Sequence, residues 1–224
     1  MTIKEVDDFV YAPPTQPWLS ILYEDDDIVV LDKPSGLLSV PGRRLEHRDS
    51  AFSRVAEAHP TARIVHRLDM DTSGILVVGL HIDAERELHR QFRERTVQKS
   101  YRARVFGHPE DDEGLIDLPL SRLKVRPPRS VVDHEHGKPS RTRYRVTARD
   151  PDGTARLDLF PETGRSHQLR VHLLMLGHPI LGDRFYAEGA ALAAAERLCL
   201  HAAELTVAHP TTGEPISFTA PAPF

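Results

Sequence analysis

Cysteine is nearly absent from this 224-residue chain, where Cys199 stands alone. One thiol cannot build a disulfide framework or a multi-thiolate zinc or iron–sulfur site, and it fits a reducing compartment. Long apolar runs are missing as well. The longest, such as Gly74–Leu80, fall far short of the roughly 20 residues a membrane helix needs, and the start MTIKEVDDFVYAPP holds no apolar signal core. A soluble, cytoplasmic protein without membrane contact is therefore expected. No HExxH, CxxC, P-loop or GxGxxG occurs, which removes support for metal-assisted hydrolysis, nucleotide hydrolysis and dinucleotide binding. What remains is 40% hydrophobic residues, enough to fill the core of one sizeable domain. Eighteen prolines and thirteen glycines are spread along the chain, so many turns separate short elements and a helical bundle is disfavoured.

The net charge of −4 by itself argues against a polyanionic partner, but the charges are unevenly placed. Residues 1–30 carry Lys4 against Glu5, Asp7, Asp8, Glu24, Asp25, Asp26 and Asp27, a net of −6. Residues 121–149 reverse this: Arg122, Lys124, Arg126, Arg129, Lys138, Arg141, Arg143, Arg145 and Arg149 face only Asp133 and Glu135, a net of +7. A second stretch, 84–104, nets +4. Two readings stay open: a phosphate-gripping surface, for which arginine forks are suited, or arginines paired with carboxylates elsewhere on a solvated face.

Patterning divides the chain into alternating elements. Trp18–Tyr23 and Ile28–Asp32 read as a hairpin around the acidic turn. Ser50 suits the N-cap of a helix reaching Ala58, and Ile75–Leu80 is an apolar strand. Asp83 is expected to cap an amphipathic helix to about Arg95, with Ala84, Leu88 and Phe92 stacked inward. Lys99–Phe106 and Arg141–Ala148 alternate as half-buried strands, the second pairing with Ala155–Leu159 across Pro151-Asp152-Gly153. A helix is expected over Ser166–Leu176, ending at Gly177, another over Ala187–Arg197, and closing strands at Leu198–Val207 and Ile216–Thr219. Without βαβ regularity or internal repeats, the fold class is α+β with a mixed, mainly antiparallel central sheet flanked by helices. The domain reading is an acidic N-terminal tail over 1–17 and one domain over 18–224, with a loop-rich insertion around 107–140.

Two polar constellations stand out. His66-Arg67-Leu68-Asp69-Met70-Asp71-Thr72-Ser73-Gly74 crowds ionisable groups at the mouth of the apolar strand, a way to fix a catalytic group on a rigid element, although its Asp, Thr, Ser and Gly are also ordinary turn formers. Gly164-Arg165-Ser166-His167-Gln168-Leu169-Arg170-Val171-His172 opens a helix, where an anion would be welcome; a capped surface helix is the plainer reading. His134 and His136 flank Glu135 in a Gly/Pro-rich stretch and read as a solvated loop rather than a metal site.

Together, HRLDMDTSG at 66–74, KSYRARV at 99–105, GRSHQLRVH at 164–172 and LGHPILGDRFY at 176–186 resemble, in order, the motifs of the RluA family of RNA pseudouridine synthases. PWLSILYEDDDIVVLDKPSGLLSVPGR, RELHRQFRER and HPTTGEPISFTAPAPF extend the resemblance over nearly the whole chain, toward members acting on both 23S rRNA and tRNA. The resemblance implies the pseudouridine synthase fold, no cofactor and no metal. It assigns Asp69 as the nucleophilic carboxylate, Tyr101 as the ring that stacks on uracil and can move a proton, and Arg170 as the arginine that pairs with the aspartate. Asp71 matches a variable position and receives no role.

By the same resemblance, a loop uridine of 23S rRNA or of a tRNA anticodon stem-loop would be flipped toward Asp69, with Arg67 filling the vacated space. His66, Arg165, Lys99, Arg102 and Arg143 join Arg67 as candidate RNA contacts. The residues before Trp18 are too few for the S4-type module that relatives often carry, so specificity is expected from the catalytic domain and from the 107–140 insertion. A monomer is expected. Three rival readings are a single-substrate rRNA or tRNA synthase, a non-catalytic RNA-binding or ribosome-assembly protein, and an N-glycosidase. The last would need a second carboxylate as general acid, which the motif does not supply.

Overall fold

In the computed structural model, which describes residues 10–125 and 127–224, the acidic turn joins β1 (Ile21–Glu24) and β2 (Ile28–Lys33) as an antiparallel hairpin. The first nine residues of the acidic tail and Arg126 of the basic run lie outside the described residues. The chain divides into two units, one holding Tyr11–Ser100 and His201–Pro223, the other Tyr101–Leu200 with Phe224. No described helix is long and apolar enough to cross a membrane.

In the first unit, Ser50 accepts the Ser53 amide while Ser53 answers to the Ser50 amide, a capping box that starts α1 (Ala51–Ala58) where expected. β3 (Arg63–Ile64) lies antiparallel on β4 (Ser73–Gly79), whose every residue is buried, as its unbroken apolar run requires. α2 (Ile82–Glu94) follows, but its cap is His81, not Asp83. The His81 backbone is extended and its Nδ1 accepts the Ala84 amide at 3.3 Å; Asp83 lies in the first turn, where its charge suits the helix dipole. Ala84 and Leu88 are buried as the spacing predicts, and Arg86, Arg90 and Arg93 lie on the wet face. The chain leaves this unit within β5 (Gln98–Phe106) and returns within a later strand.

The second unit holds the segment expected to be loop-rich, and it is more regular than its Gly and Pro content suggests. It contributes β6 (Glu113–Asp117), β7 (Leu120–Arg122) and β8 (Ser130–Val132). β6 pairs with β9 (Arg141–Arg149), and β9 pairs with β10 (Thr154–Pro161), which pairs with β5, all antiparallel. β7 and β8 form a separate hairpin. Helix α3 (Gln168–Met175) begins two residues later than expected because His167 adopts a left-handed backbone, φ 55°. α4 covers only Gly189–Ala193, against an expected span to Arg197. A run this short has little helical stability of its own, and the chain after it wraps Gly182, where a Cβ would lie 2.1 Å from the Arg197 carbonyl oxygen. The core of this unit joins Ala103, Val105, Leu157 and Leu159 of the sheet to Leu169 and Leu173 of α3.

The return strand β11 (Leu200–Ala208) runs parallel to β4 and carries β12 (Pro215–Thr219) on its other edge. With β1, β2 and β4 this completes a mixed sheet, over which Ile28, Val30, Val77, Leu88 and Leu205 close a second core.

Candidate active site

Asp69 sits, half-buried, in the loop between β3 and β4, and its carbonyl accepts the Thr72 amide at 3.1 Å to form a tight turn. The loop is clamped by the segment that follows β2. Lys33 Nζ, with 0% of the residue exposed, donates to the carbonyls of Pro34 at 2.8 Å, Leu37 at 2.8 Å and Met70 at 3.0 Å. Ser35 Oγ donates to the Asp71 carbonyl at 2.7 Å, the Gly36 amide to the Met70 carbonyl at 3.0 Å, and Ser39 Oγ both donates to the Leu68 carbonyl and accepts its amide. Both chain neighbours of Asp69 are thus fixed through their main chains, the preorganisation a catalytic carboxylate needs. Sequence reasoning missed this clamp; its one signal was a lysine ending a strand that opens with the apolar run 28–31.

Beyond the loop, Gly74 is required. Its φ is 107°, and a Cβ there would lie 2.2 Å from the Ala202 carbonyl oxygen of β11. Beside it, Ser73 Oγ meets His201 Nδ1 at 2.8 Å, which resembles a nucleophile–base pair. Both residues are buried, however, and His201 Nε2 donates to the Ala220 carbonyl, so the pair ties strands together.

His66 lies upstream of the turn, half-buried and stacked on Phe92 with ring centroids 4.7 Å apart. Its Nε2 accepts the Val77 amide at 3.0 Å. Burial, helped by the Lys99 charge, pushes the imidazole down to about 3, so it is neutral at physiological pH. Lys99 is itself pushed below the usual lysine range by burial and by Arg95. Arg67 is exposed, and neither Arg67, Arg95 nor Lys99 has a carboxylate partner among the described residues.

In the other unit, Tyr101 on β5 pairs in register with Leu159 and packs, partly buried, on the core cluster. Arg170 on α3 is 2% exposed, and its Nε and Nη2 donate to the two oxygens of Asp183 at 2.8 and 2.7 Å. Its guanidinium carbon lies 5.0 Å from the Phe185 ring centroid and 5.1 Å from that of Tyr186. Gln168 fastens the start of α3: its Oε1 accepts the Thr163 hydroxyl and the Arg165 amide, and its Nε2 donates to the Arg141 carbonyl and Thr142 Oγ1. His172, buried and pushed down by that burial, spans Thr142 and the Leu118 carbonyl. These polar residues of the 164–172 motif therefore anchor the helix that carries Arg170. Arg165 is exposed at its mouth. Arg102 is committed to Asp158 at 3.0 Å and Arg143 to Glu162 at 3.2 Å.

One group among the described residues clusters enough ligand-type atoms for a metal ion: Asp25, Asp27 and His209. Its hydrogens argue otherwise. His209 Nδ1 accepts the Thr211 and Thr212 amides, which puts the ring proton on Nε2, and that proton points at Asp25 Oδ2, 2.8 Å away. His81, capping α2 through Nδ1, likewise donates from Nε2 to Asp27 Oδ1 at 2.6 Å. Both imidazoles are held as donors, the wrong tautomer for a ligand facing that pocket.

A family model described as RNA pseudouridylate synthase matches residues 27–175. The dual-specificity RNA pseudouridine synthase RluA of Escherichia coli K12 is 58% identical over 214 residues, covering 96% of this chain and 98% of that protein. The protein of the same name from Pasteurella multocida is 53% identical over the same shares. Among solved structures, human RNA pseudouridylate synthase domain containing 1 superposes with a TM-score of 0.76 at 31% identity, covering 98% of this chain and 87% of that one. With the 66–74 and 164–172 motifs each built into a rigid frame, the chain belongs to the RNA pseudouridylate synthase family, as an RluA-type RNA pseudouridine synthase.

Proposed function

We propose that this protein converts specific loop uridines to pseudouridine in both 23S rRNA and the tRNA anticodon stem-loop. The observation that carries the reading is the likeness, over 96% of the chain, to enzymes named for dual specificity, joined to an aspartate loop immobilised from both sides. The reaction breaks the bond from C1′ to N1 of uracil, turns the base, and makes a bond from C1′ to C5. The C5 proton leaves to solvent and N1 gains one, so there is no net oxidation or reduction, and the reading calls for no metal or cofactor.

Asp69 is proposed as the nucleophile. A carboxylate can add to an electron-poor carbon or assist loss of the C1′ proton, as carboxylates do in glycoside chemistry. Tyr101 would stack on the uracil and move a proton, and Arg170 would keep the carboxylate ionised. Flipping the uridine costs a few kcal/mol, least for a loop base already unstacked. Arg67, Lys99 and Arg165, which no carboxylate among the described residues neutralises, are assigned the leading RNA contacts. His66, Arg102 and Arg143, each committed to a protein partner, follow behind them. Residues 18–224 would act as one catalytic domain, with the 107–140 segment tuning substrate choice, in a monomer of the cytoplasm.

Tritium release from uridine labelled at C5, in transcripts of tRNA and of 23S rRNA, tests this directly. Release from both substrates is expected, falling by more than about 1000-fold in Asp69→Asn. Release from one RNA alone would reduce the reading to a single-substrate synthase, and binding without release would leave a non-catalytic module.

A further inference from the structure

The 164–172 motif supplies Arg170, but nothing in the family reading says what aims it. The buried fork between Arg170 and Asp183 does. A guanidinium has five N–H donors in a fixed plane, and fastening two of them on one edge fixes the direction of the rest. Asp183, 1% exposed, takes Nε and Nη2 at 2.8 and 2.7 Å. It is itself immobile, because its Oδ1 also accepts the amides of Phe185 at 2.9 Å and Tyr186 at 3.3 Å. Those two rings lie against the Arg170 guanidinium and leave it little room to tilt. The Tyr186 hydroxyl in turn accepts the Ser130 amide at 2.9 Å and meets His167 Nδ1 at 2.7 Å, so the frame reaches β8 and the residue that precedes α3.

We infer that Asp183 is a positioning residue for the isomerisation: it orients the Arg170 guanidinium, so that any interaction of Arg170 with the nucleophilic carboxylate is made by the remaining hydrogens in one fixed direction. This rests on the role proposed above for Arg170. The Asp183 carboxylate also explains how an arginine can stay charged at 2% exposure, since a buried cation without a partner is strongly disfavoured. A purely structural pair would be replaceable by any group that fills the space; an aiming pair would not.

The test is a double-mutant cycle on the full-length protein, read by single-turnover tritium release, RNA binding and thermal unfolding. Asp183→Asn keeps the shape and the amide contacts but loses the charged fork, and it should lower the rate at saturating RNA by about 100-fold, the scale of a 1 Å misplacement. RNA affinity should stay within about twofold, since the residue is buried away from solvent. Arg170→Gln should cost at least as much, and the double variant should be no slower than Arg170→Gln alone, because Asp183 then has nothing to aim. Asp183→Glu, which retains the charge, should recover part of the rate. An Asp183→Asn protein that folds and keeps the wild-type rate overturns the inference while leaving Arg170 in place, as does a double variant slowed by the full product of the single losses. If Arg170→Gln itself is fully active, the role proposed for Arg170 falls, and this inference with it.

Discussion

Two regions of this protein carry clustered basic residues and differ in what their charges do. Along β5, β9 and β10, Arg102 and Arg145 converge on the buried Asp158, Arg104 reaches Asp152, Arg141 bridges Asp117 and Glu162, Arg143 shares Glu162, Arg149 holds Asp112 and Arg156 holds Asp150. Around the Asp69 loop, Arg67, Arg95 and Lys99 find no carboxylate among the described residues. The carboxylates that neutralise the strands come from neighbouring strands and turns, remote in sequence, so a window count of +7 cannot register them. A field that attracts phosphate depends on unpaired charge, and by that measure the smaller cluster is the better candidate.

The largest effects should come from breaking the frame of the Asp69 loop. Gly74→Ala would force a Cβ into the Ala202 backbone at a φ reserved for glycine, and a loss of about 4 kcal/mol or outright misfolding is expected in chemical denaturation. Lys33→Met removes the hydrogen bonds that its ammonium makes to the carbonyls of Pro34, Leu37 and Met70 and leaves the buried Leu37 carbonyl without that donor. About 3 kcal/mol should be lost, or roughly 6–12 °C in the unfolding midpoint for a chain of this size, with the isomerisation rate falling further than the folded fraction. A variant whose activity simply tracks its folded fraction would show that the clamp supports the fold and not the site.

The comparison itself is sharpened by salt. Arg67→Gln and Lys99→Gln should each weaken RNA binding and reduce the slope of log K against log salt by about 1, whereas Arg145→Gln should leave the slope unchanged. Equal slopes for all three would mean that the strand arginines exchange carboxylate for phosphate on binding, and pairing in the free protein would then be a poor guide.

How far the sequence could be read follows the same division between local and remote partners. The β1–β2 hairpin, the Ser50 cap, the apolar β4 and the alternating β5 and β9 are set by neighbours in the chain, and pattern reasoning finds them. Asp83 lost the cap to His81 because that histidine is held from outside the helix by Asp27, and α4 stopped early because the backbone beyond it packs on Gly182. The proposed site residues Asp69, Tyr101 and Arg170 are legible because each sits in a motif. Their supports are not: Lys33 acts on a loop 37 residues away, and Asp183 lies 13 residues beyond Arg170.

Acid provides the finest discrimination. The clasp at 25–27 has Asp25 held down to about 2 from the ordinary 3.8: burial works against the charge, but hydrogen bonds from the Tyr23 hydroxyl, the Ile28 amide, His209 and the Asp27 amide outweigh it. The folded form thus binds fewer protons than the unfolded chain as pH drops below about 4. The clasp's contribution, about 2 kcal/mol for a carboxyl largely but not wholly shielded, is complete above that pH and drains away as pH falls through 2. His66 titrates over a different window. Its neutral form is favoured by the fold, with the imidazole at about 3 against an ordinary 6.5, so protonation of the unfolded chain starts to erode stability from about pH 6.5 downward. Denaturation midpoints between pH 7 and 2 should therefore fall in two stages, the first flattened by His66→Gln and the second by Asp25→Asn. If Asp25→Asn flattened the first stage instead, or left both unchanged, the hydrogen bonds from Tyr23, Ile28 and Asp27 would not be what holds the Asp25 carboxyl down.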